Sequence, residues 1–334
     1  MRLSDGEQQR MEQRLALRFA AIGNGAQSWL ERQLSALSPD CALLTRWCYS
    51  ASPVSDWANY EFSLFRACAE HALRLREQSP LARELPEPLF LNYVLHPRVN
   101  EEELCDCRGF FYAQIRGRIE GLSAREAILA INEWNAEQVC YRATDERTIS
   151  ALGAWRSGFG RCGEESTFAV NVLRAAGIPA RQVYTPRWAH CDDNHAWVEA
   201  YCGGAWHFFG ACEPEEALDR GWFTGEPRSA CAQPLLWNAC GGRGDHFGRR
   251  RGDVPEPDRP LCARAPAGSA GAGEGRAARR RCGGHVRHPQ RVGGLSGCGH
   301  SVQSCRSTGS LIHNIFHSAC KKEGSAFFDY RTSG

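Results

Sequence analysis

Residues 160–199 read GRCGEESTFAVNVLRAAGIPARQVYTPRWAHCDDNHAWVE, and this stretch decides the fold. Within it, Phe168, Val172 and Ala176 recur at a spacing of four, which predicts a buried helix face. Gly177 and the Ile-Pro pair after it predict where that helix ends. Beyond the helix we expect strands in RQVYTPR, HAWVEAYC and AWHFFGACEP, the last two joined by a tight Gly-Gly turn. The stretch therefore predicts one helix packed on an antiparallel sheet.

One cysteine and one histidine in this stretch point to chemistry. Cys162 lies at the predicted helix start, where free N–H groups and the helix dipole favour a thiolate, and His195 lies on the second strand. Gly158, Gly160 and Gly163 surround the cysteine and leave room for a substrate to approach. A cysteine at a helix start facing a histidine on a sheet is typical of nucleophilic thiol catalysis. A buried structural cysteine is the simpler alternative.

Four motifs in order carry a family resemblance: GRCGEES, GIPAR, HAWVE and a later W-x₆-E-P. Together they resemble the core of the transglutaminase-like superfamily, in a form of bacterial type. The resemblance spans roughly residues 132–224, and a looser similarity extends upstream to about residue 88. It implies a papain-like fold in which Cys162 is the nucleophile and His195 is the base.

The third catalytic member implied by the resemblance is displaced in this sequence. The family usually has an Asp in a W-x-x-x-D-P pattern, but the corresponding position after Trp206 holds Gly210. The nearest carboxylate that precedes a proline is Glu213, three residues further on. The resemblance therefore assigns Glu213 to hold the imidazole through its second ring nitrogen. Asp219 and Asn194 are the alternatives.

The resemblance also implies a reaction on protein or peptide amides. The thiolate attacks a carboxamide or peptide carbonyl, and an amine or water resolves the thioester. The motifs do not separate a protein-glutamine γ-glutamyltransferase from a cysteine peptidase. A catalytically weak or inactive member that binds peptides in the same groove is the alternative. We expect Trp155 and Trp197 to line the groove, although a half-buried structural role suits Trp155 equally well, and we expect no cofactor.

The composition argues against other classes of function. The 334 residues carry a net charge of +2 and are 43% apolar, so no strong field favours nucleic acid or a membrane surface. Arg14 and Arg18 interrupt the apolar part of the N-terminus, and no segment reaches the ~18 apolar residues needed to span a bilayer. We therefore expect a cytoplasmic protein whose cysteines are mostly reduced and buried. The sequence leaves the oligomeric state open.

A zinc site is the competing interpretation of the cysteines and histidines. Cys191 and His195 form a C-x₃-H pattern, which resembles half of a zinc site. The other half is missing before residue 230, where Cys105-x-Cys107 is the one tight cysteine pair and has no nearby histidine. We therefore expect no metal.

The chain divides into three predicted regions, and its fold class is α+β. Residues 1–87 form a helical region, with helices in EQQRMEQRLALRFAAIG and AQSWLERQLSAL and one long helix in DWANYEFSLFRACAEHALRLREQ. His71 on the long helix is expected to be a packed residue. Residues 88–228 form the transglutaminase-like core, with a capping box at Ser123–Glu126 and a loop leading to Cys162.

Residues 229–334 are predicted to be a disordered tail. Between positions 241 and 300 there are 15 Gly, 12 Arg and six large apolar residues, too few to offset the ordering entropy of about 1–2 kcal/mol per residue. An arginine- and glycine-rich arm for RNA is the alternative, but such arms usually repeat and this one does not. We interpret the tail as GC-rich DNA read in a shifted frame.

Overall fold

The computed structural model describes residues 1–23, 25–143, 147–186, 194–225 and 233–234. The helices are α1 (Asp5–Ile22), α2 (Ala26–Leu34), α3 (Pro39–Ala51), α4 (Val54–Asn59), α5 (Phe62–Gln78), α6 (Glu87–Phe90) with a π-helical turn at Leu91–Leu95, α7 (Arg108–Ile119), α8 (Ala124–Gln138), α9 (Ala151–Ser157) and α10 (Cys162–Ala175). The strands are β1 (Cys140–Tyr141), β2 (Phe159–Gly160), β3 (Ala180–Thr185), β4 (His195–Cys202), β5 (Ala205–Phe209) and β6 (Gln233–Pro234), and a 3₁₀ turn covers Trp222–Gly225. The fold is α+β, as predicted. Apart from β6, the predicted tail lies outside the described residues.

Three strands of the main sheet, β3, β4 and β5, are those that the sequence predicted, whereas β6 lies in the region predicted to be a disordered tail. The order of this sheet is β5-β4-β3-β6, and its neighbouring strands are antiparallel. Cys202 pairs with Ala205, so Gly203 and Gly204 form a two-residue turn between β4 and β5. Both glycines have positive φ (59° and 84°), the backbone that such a turn requires and that glycine adopts without strain.

The helix α10 lies at the centre of the core. The sequence predicted one buried face, but every residue from Glu164 to Ala175 is buried. The other faces are covered because α7, α8 and α9 also pack on this helix. Its C-terminus confirms the predicted stop: Gly177 (φ 85°) donates to the Arg174 carbonyl and Ile178 donates to the Leu173 carbonyl, a Schellman motif.

The N-terminal region is helical, but its predicted long helix is two helices. α4 ends at Asn59 and α5 begins at Phe62. Between them, Tyr60 (φ −125°, ψ 142°) and Glu61 (φ −65°, ψ 148°) have extended backbone. The apolar stripe continues across this break, which is why the periodicity alone predicted one helix.

Buried polar contacts tie these helices to α10. The Nε2 of His71 lies 2.9 Å from the Ala175 carbonyl oxygen at the end of α10. Burial lowers the pKa of His71 to about 4, so the neutral ring donates this hydrogen bond. Arg98 donates to both carboxylate oxygens of Asp56 on α4, at 2.8 and 2.5 Å, and its own carbonyl accepts from Arg174 of α10 at 3.0 Å. His71 is thus a packed residue, as expected.

The connection to Cys162 is more ordered than predicted. Instead of a plain loop it contains α9, whose N-cap Ser150 accepts a hydrogen bond from the Gly153 N–H at 3.1 Å. Gly158, with φ 73°, ends the helix, and β2 then pairs with β1 in parallel. The chain therefore reaches Cys162 through α9, a helix that itself packs on α10.

Candidate active site

Cys162 is the first residue of α10 and is partly buried. The backbone N–H groups of Ala196 and Gly163 lie near its sulfur and favour the ionised thiol. Ala196 follows His195 on β4 and pairs with Tyr184 on β3. The cysteine sulfur therefore lies against the strand that carries the predicted histidine, at the residue next to it.

From the sequence we expected the start of the helix to favour a thiolate at Cys162. For the resting thiol this expectation was wrong, because the helix start does not by itself ionise the cysteine. Burial raises the pKa of the Cys162 thiol. The nearby backbone N–H groups of Ala196 and Gly163 and the charge of Arg161 oppose this rise in the pKa. The helix start is also already occupied, because the buried Glu164 carboxylate accepts the Arg161 N–H at 2.6 Å. Deprotonation of Cys162 at neutral pH therefore requires a base.

His195 begins β4 and lies in an aromatic cluster. Its ring centroid is 4.8 Å from that of Trp222, 5.2 Å from Phe223 and 6.0 Å from Trp197. Trp197 is fully buried, and it stacks on both His195 and Phe223. Trp197 was predicted to line the substrate groove. Because its ring is fully buried, it supports the imidazole of His195 instead.

Trp155 lies on α9 and is half-buried. Its indole N–H donates to Gln138 Oε1 at 3.3 Å, and its ring packs edge-on against Phe110 with centroids 4.8 Å apart. These contacts fix Trp155 against the core, as the structural interpretation expected. Its role in substrate binding stays a prediction.

The carboxylate of Glu213 lies beside Gly210, the position where the family's Asp was expected. A Cβ placed on Gly210 would lie 2.2 Å from Glu213 Oε2 and 3.0 Å from the Glu213 Cβ. Any side chain at position 210 would therefore displace this carboxylate. Glu213 Oε1 also accepts a hydrogen bond from Trp222 Nε1 at 3.3 Å, and the same Trp222 ring contacts His195.

Asp219 and Asn194, the alternative candidates for the third catalytic residue, lie in different surroundings. The Asp219 carboxylate lies 2.7 Å from His207 Nδ1 and accepts the Phe208 N–H at 3.1 Å. Asn194 is exposed, directly before β4. Neither contact of Asp219 involves His195.

Two residues of this site were not singled out from the sequence. Glu165 is 4% exposed on α10, and burial together with the neighbouring Glu213 and Glu164 raises its pKa to about 9. Its carboxyl group is therefore protonated at neutral pH. Trp222 is 51% exposed and follows Glu213 by nine residues. The GRCGEES motif contains Glu165, but its burial depends on distant residues, and nothing local marks Trp222.

A metal site and a membrane-spanning helix are the features of two alternative classes of function. Within the described ranges, no group of three or more His, Cys, Asp or Glu side chains is placed to hold a metal ion. Cys191 of the zinc pattern lies outside them. In the same part of the chain, no helix has the length and apolar character needed to cross a membrane.

Comparison with known proteins finds a family match within the core. Residues 113–211 match the model of the transglutaminase-like superfamily. A search of curated proteins found no match. Two solved structures are similar: a candidate cysteine protease from Cytophaga hutchinsonii (22% identity, TM-score 0.32, 48% of this chain) and a candidate protease from Parabacteroides distasonis (14% identity, TM-score 0.30, 52% of this chain). The chain spans 57% and 30% of their respective lengths. The match to the transglutaminase-like superfamily model therefore falls on residues 113–211, which hold the central helix and most of the sheet.

Proposed function

We propose that this protein is a thiol enzyme that acts on amide bonds of protein or peptide substrates. Cys162 is the nucleophile, His195 the base and Glu213 the residue that orients His195. The observation that carries the proposal is a series of contacts that begins at Cys162, the first residue of α10. The Cys162 sulfur lies on the backbone of Ala196, next to His195, and Trp222 contacts both His195 and Glu213.

The raised pKa of Cys162 determines how the first step proceeds. Because burial keeps the resting thiol protonated, His195 takes the proton as the sulfur attacks the carbonyl carbon. The developing oxyanion is stabilised by the N–H of Cys162, a first-turn group that has no partner within the helix. His195 then protonates the leaving amine, and a thioester remains. Water completes hydrolysis, whereas a second amine completes transfer.

Glu213 takes the place of the family's Asp through a local rearrangement. Glu has one methylene more than Asp, and the missing side chain of Gly210 leaves space for its carboxylate to fold back. In that position the carboxylate stabilises the protonated imidazole. The exposed ring of Trp222, beside His195 and Glu213, is the proposed wall of the substrate groove in place of the buried Trp197.

The test uses two assays that separate transfer from hydrolysis. Transfer is measured as incorporation of a fluorescent primary amine into casein, and hydrolysis with a library of internally quenched peptides. We expect Cys162→Ser and His195→Ala each to lower the parent's activity by about a thousand-fold or more, with unchanged thermal unfolding. Cys140→Ser is the matched control, because Cys140 is exposed and is expected to leave activity intact.

Two results would contradict the assignment. Near-full activity in either active-site variant would remove that residue from the mechanism. A parent that binds peptides as tightly as Cys162→Ser but turns none over would favour the non-catalytic alternative, for which the raised pKa of Cys162 is the supporting observation.

A further inference from the structure

We propose that Asn132 is a positioning residue of the active site, which holds the turn that carries Glu213 and thereby fixes the Glu213 carboxylate. The inference rests on the proposed function, because it takes Glu213 as the residue that orients His195. Asn132 lies on α8 and is 3% exposed, so it contacts this turn from inside the core and does not touch a substrate. The amide chemistry proposed above gives it no role.

The turn that follows β5 has a strained backbone. The Glu213 N–H donates to the Gly210 carbonyl at 3.2 Å, which closes a four-residue turn over positions 210–213. Cys212, the third residue of this turn, has φ 57°. Positive φ is unfavourable for a residue with a side chain, and turns that require it at this position normally have Gly or Asn there. The turn therefore depends on contacts with the rest of the fold.

The side-chain amide of Asn132 makes three hydrogen bonds to this turn. Its Nδ2 donates to the Gly210 carbonyl at 3.0 Å and to the Glu213 carbonyl at 3.2 Å. Its Oδ1 accepts the Cys212 N–H at 3.1 Å. The reversed amide would place its oxygen against two carbonyl oxygens, so the contacts fit one orientation of the side chain. Asn132 thus stabilises the first, third and fourth residues of the strained turn.

The position of the Glu213 carboxylate follows from the shape of the turn. Its Oε2 occupies the space that a side chain on Gly210 would fill, so the carboxylate folds back over the residue that opens the turn. Its Oε1 accepts the Trp222 Nε1–H at 3.3 Å. A shift of about 1 Å in the position of a catalytic group can lower the rate about a hundred-fold. Removal of the Asn132 amide is therefore expected to slow the reaction through Glu213.

Asn135 provides a matched control on the same helix. It lies three residues after Asn132 and is fully buried. Neither its Nδ2 nor its Oδ1 has a hydrogen-bond partner among the described residues. Asn135→Ala therefore removes the same side chain from the core without removing a hydrogen bond to the turn.

The experiment measures kcat and KM of the full chain on the substrate that the parent turns over fastest in the two assays above. We expect Asn132→Ala to lower kcat about ten- to a hundred-fold with KM unchanged, since Asn132 acts on Glu213 and not on the substrate. Asn132→Leu has the same branching as Asn but no polar group, so its kcat should fall as far. Asn135→Ala should keep the kcat of the parent.

Two double variants separate positioning of Glu213 from general packing. In the Glu213→Ala background, Asn132→Ala should lower kcat by less than about twofold further, because both changes remove the same contribution. Cys212→Gly added to Asn132→Ala should raise kcat at least about threefold, since glycine adopts the positive φ of the turn without strain.

Three results would overturn the proposal: parent-like kcat in both Asn132 variants, a full further loss in the Glu213→Ala background, or no recovery with Cys212→Gly. Circular dichroism and the thermal midpoint verify that each variant is folded. If neither Asn132 variant folds although Asn135→Ala does, the residue holds the fold and not the carboxylate, and the proposal also fails. Near-full activity in Glu213→Ala would instead remove Glu213 from the proposed mechanism, and this inference with it.

Discussion

At the scale of single residues, the Glu213 carboxylate occupies the space that a side chain at position 210 would fill. The assignment of Glu213 as the third catalytic residue can therefore be tested by substitutions at both positions. Glu213→Ala should lower kcat/KM by about a hundred-fold or more, because the protonated imidazole loses its carboxylate. Gly210→Ala should lower it in the same direction, since the new Cβ would lie 2.2 Å from Glu213 Oε2 and must displace it. The double variant Gly210→Asp with Glu213→Ala places an Asp at the position where the family has one, and we expect partial recovery of kcat/KM. Full activity in Gly210→Ala would contradict this account.

The sequence predicted part of this site for a clear reason. Cys162 and His195 lie in local motifs that can be recognised in any context. The carboxylate of Glu213 could be chosen only by its neighbouring proline, and the space beside Gly210 is a property of the folded loop. The burial of Glu165 depends on residues far along the chain, so no local pattern could have predicted its raised pKa.

At the scale of elements, the end of α10 offers a matched pair of substitutions. Gly177 and Gly121 have similar positive φ, 85° and 75°, so Ala costs about 1–2 kcal/mol of backbone strain at each. A Cβ on Gly177 would also lie 2.9 Å from the Cβ of Ala82, whereas nothing lies within 4 Å of one on Gly121. Gly177→Ala should therefore reduce the free energy of unfolding by about 1–3 kcal/mol more than Gly121→Ala, measured by urea titration. Equal losses would show that the contact with Ala82 does not matter.

Most of the elements follow from local signals, and the exceptions have physical causes. The Ser123–Glu126 capping box is present, with the Ser123 N–H donating to Glu126 Oε2 at 2.9 Å, and the Gly203–Gly204 turn joins β4 to β5. α9 was missed because its seven residues show no long apolar period. The burial of α10 on all sides was missed because it arises from elements far apart in the sequence.

At the scale of the whole molecule, His71 couples stability to pH. Its pKa in the folded chain is about 4, below the ordinary value of 6.5, so protonation favours the unfolded state. The stability it contributes is present above pH 6.5 and is lost as the pH falls towards 4, up to about 3 kcal/mol. His71→Gln keeps a donor for the Ala175 carbonyl without a titrating ring, so its free energy of unfolding should fall less over this range in urea titrations. Parallel pH profiles for parent and variant would contradict the assignment.

The overall organisation was predictable only in outline. The helical start and the mixed core follow from periodicity, but the contacts that join them do not. Arg98 and Asp56 are 42 positions apart, and the Arg174 side chain and the Arg98 carbonyl are 76 apart, so composition gave no sign of either pair. The boundaries near residues 87 and 228 and the frameshift origin of the tail stay predictions.

The central claim is that His195 takes the proton of Cys162, and one measurement tests it most directly. Trypsin releases residues 162–174, in which Cys162 is the single cysteine, so its alkylation by iodoacetamide can be followed by mass spectrometry at a series of pH values. In the parent, His195 should take up the proton as the sulfur attacks the reagent, which allows alkylation near neutral pH. In His195→Ala, the thiol keeps the raised pKa that burial imposes, and half-maximal alkylation should move about one pH unit or more higher. Identical pH profiles for parent and variant would contradict the account.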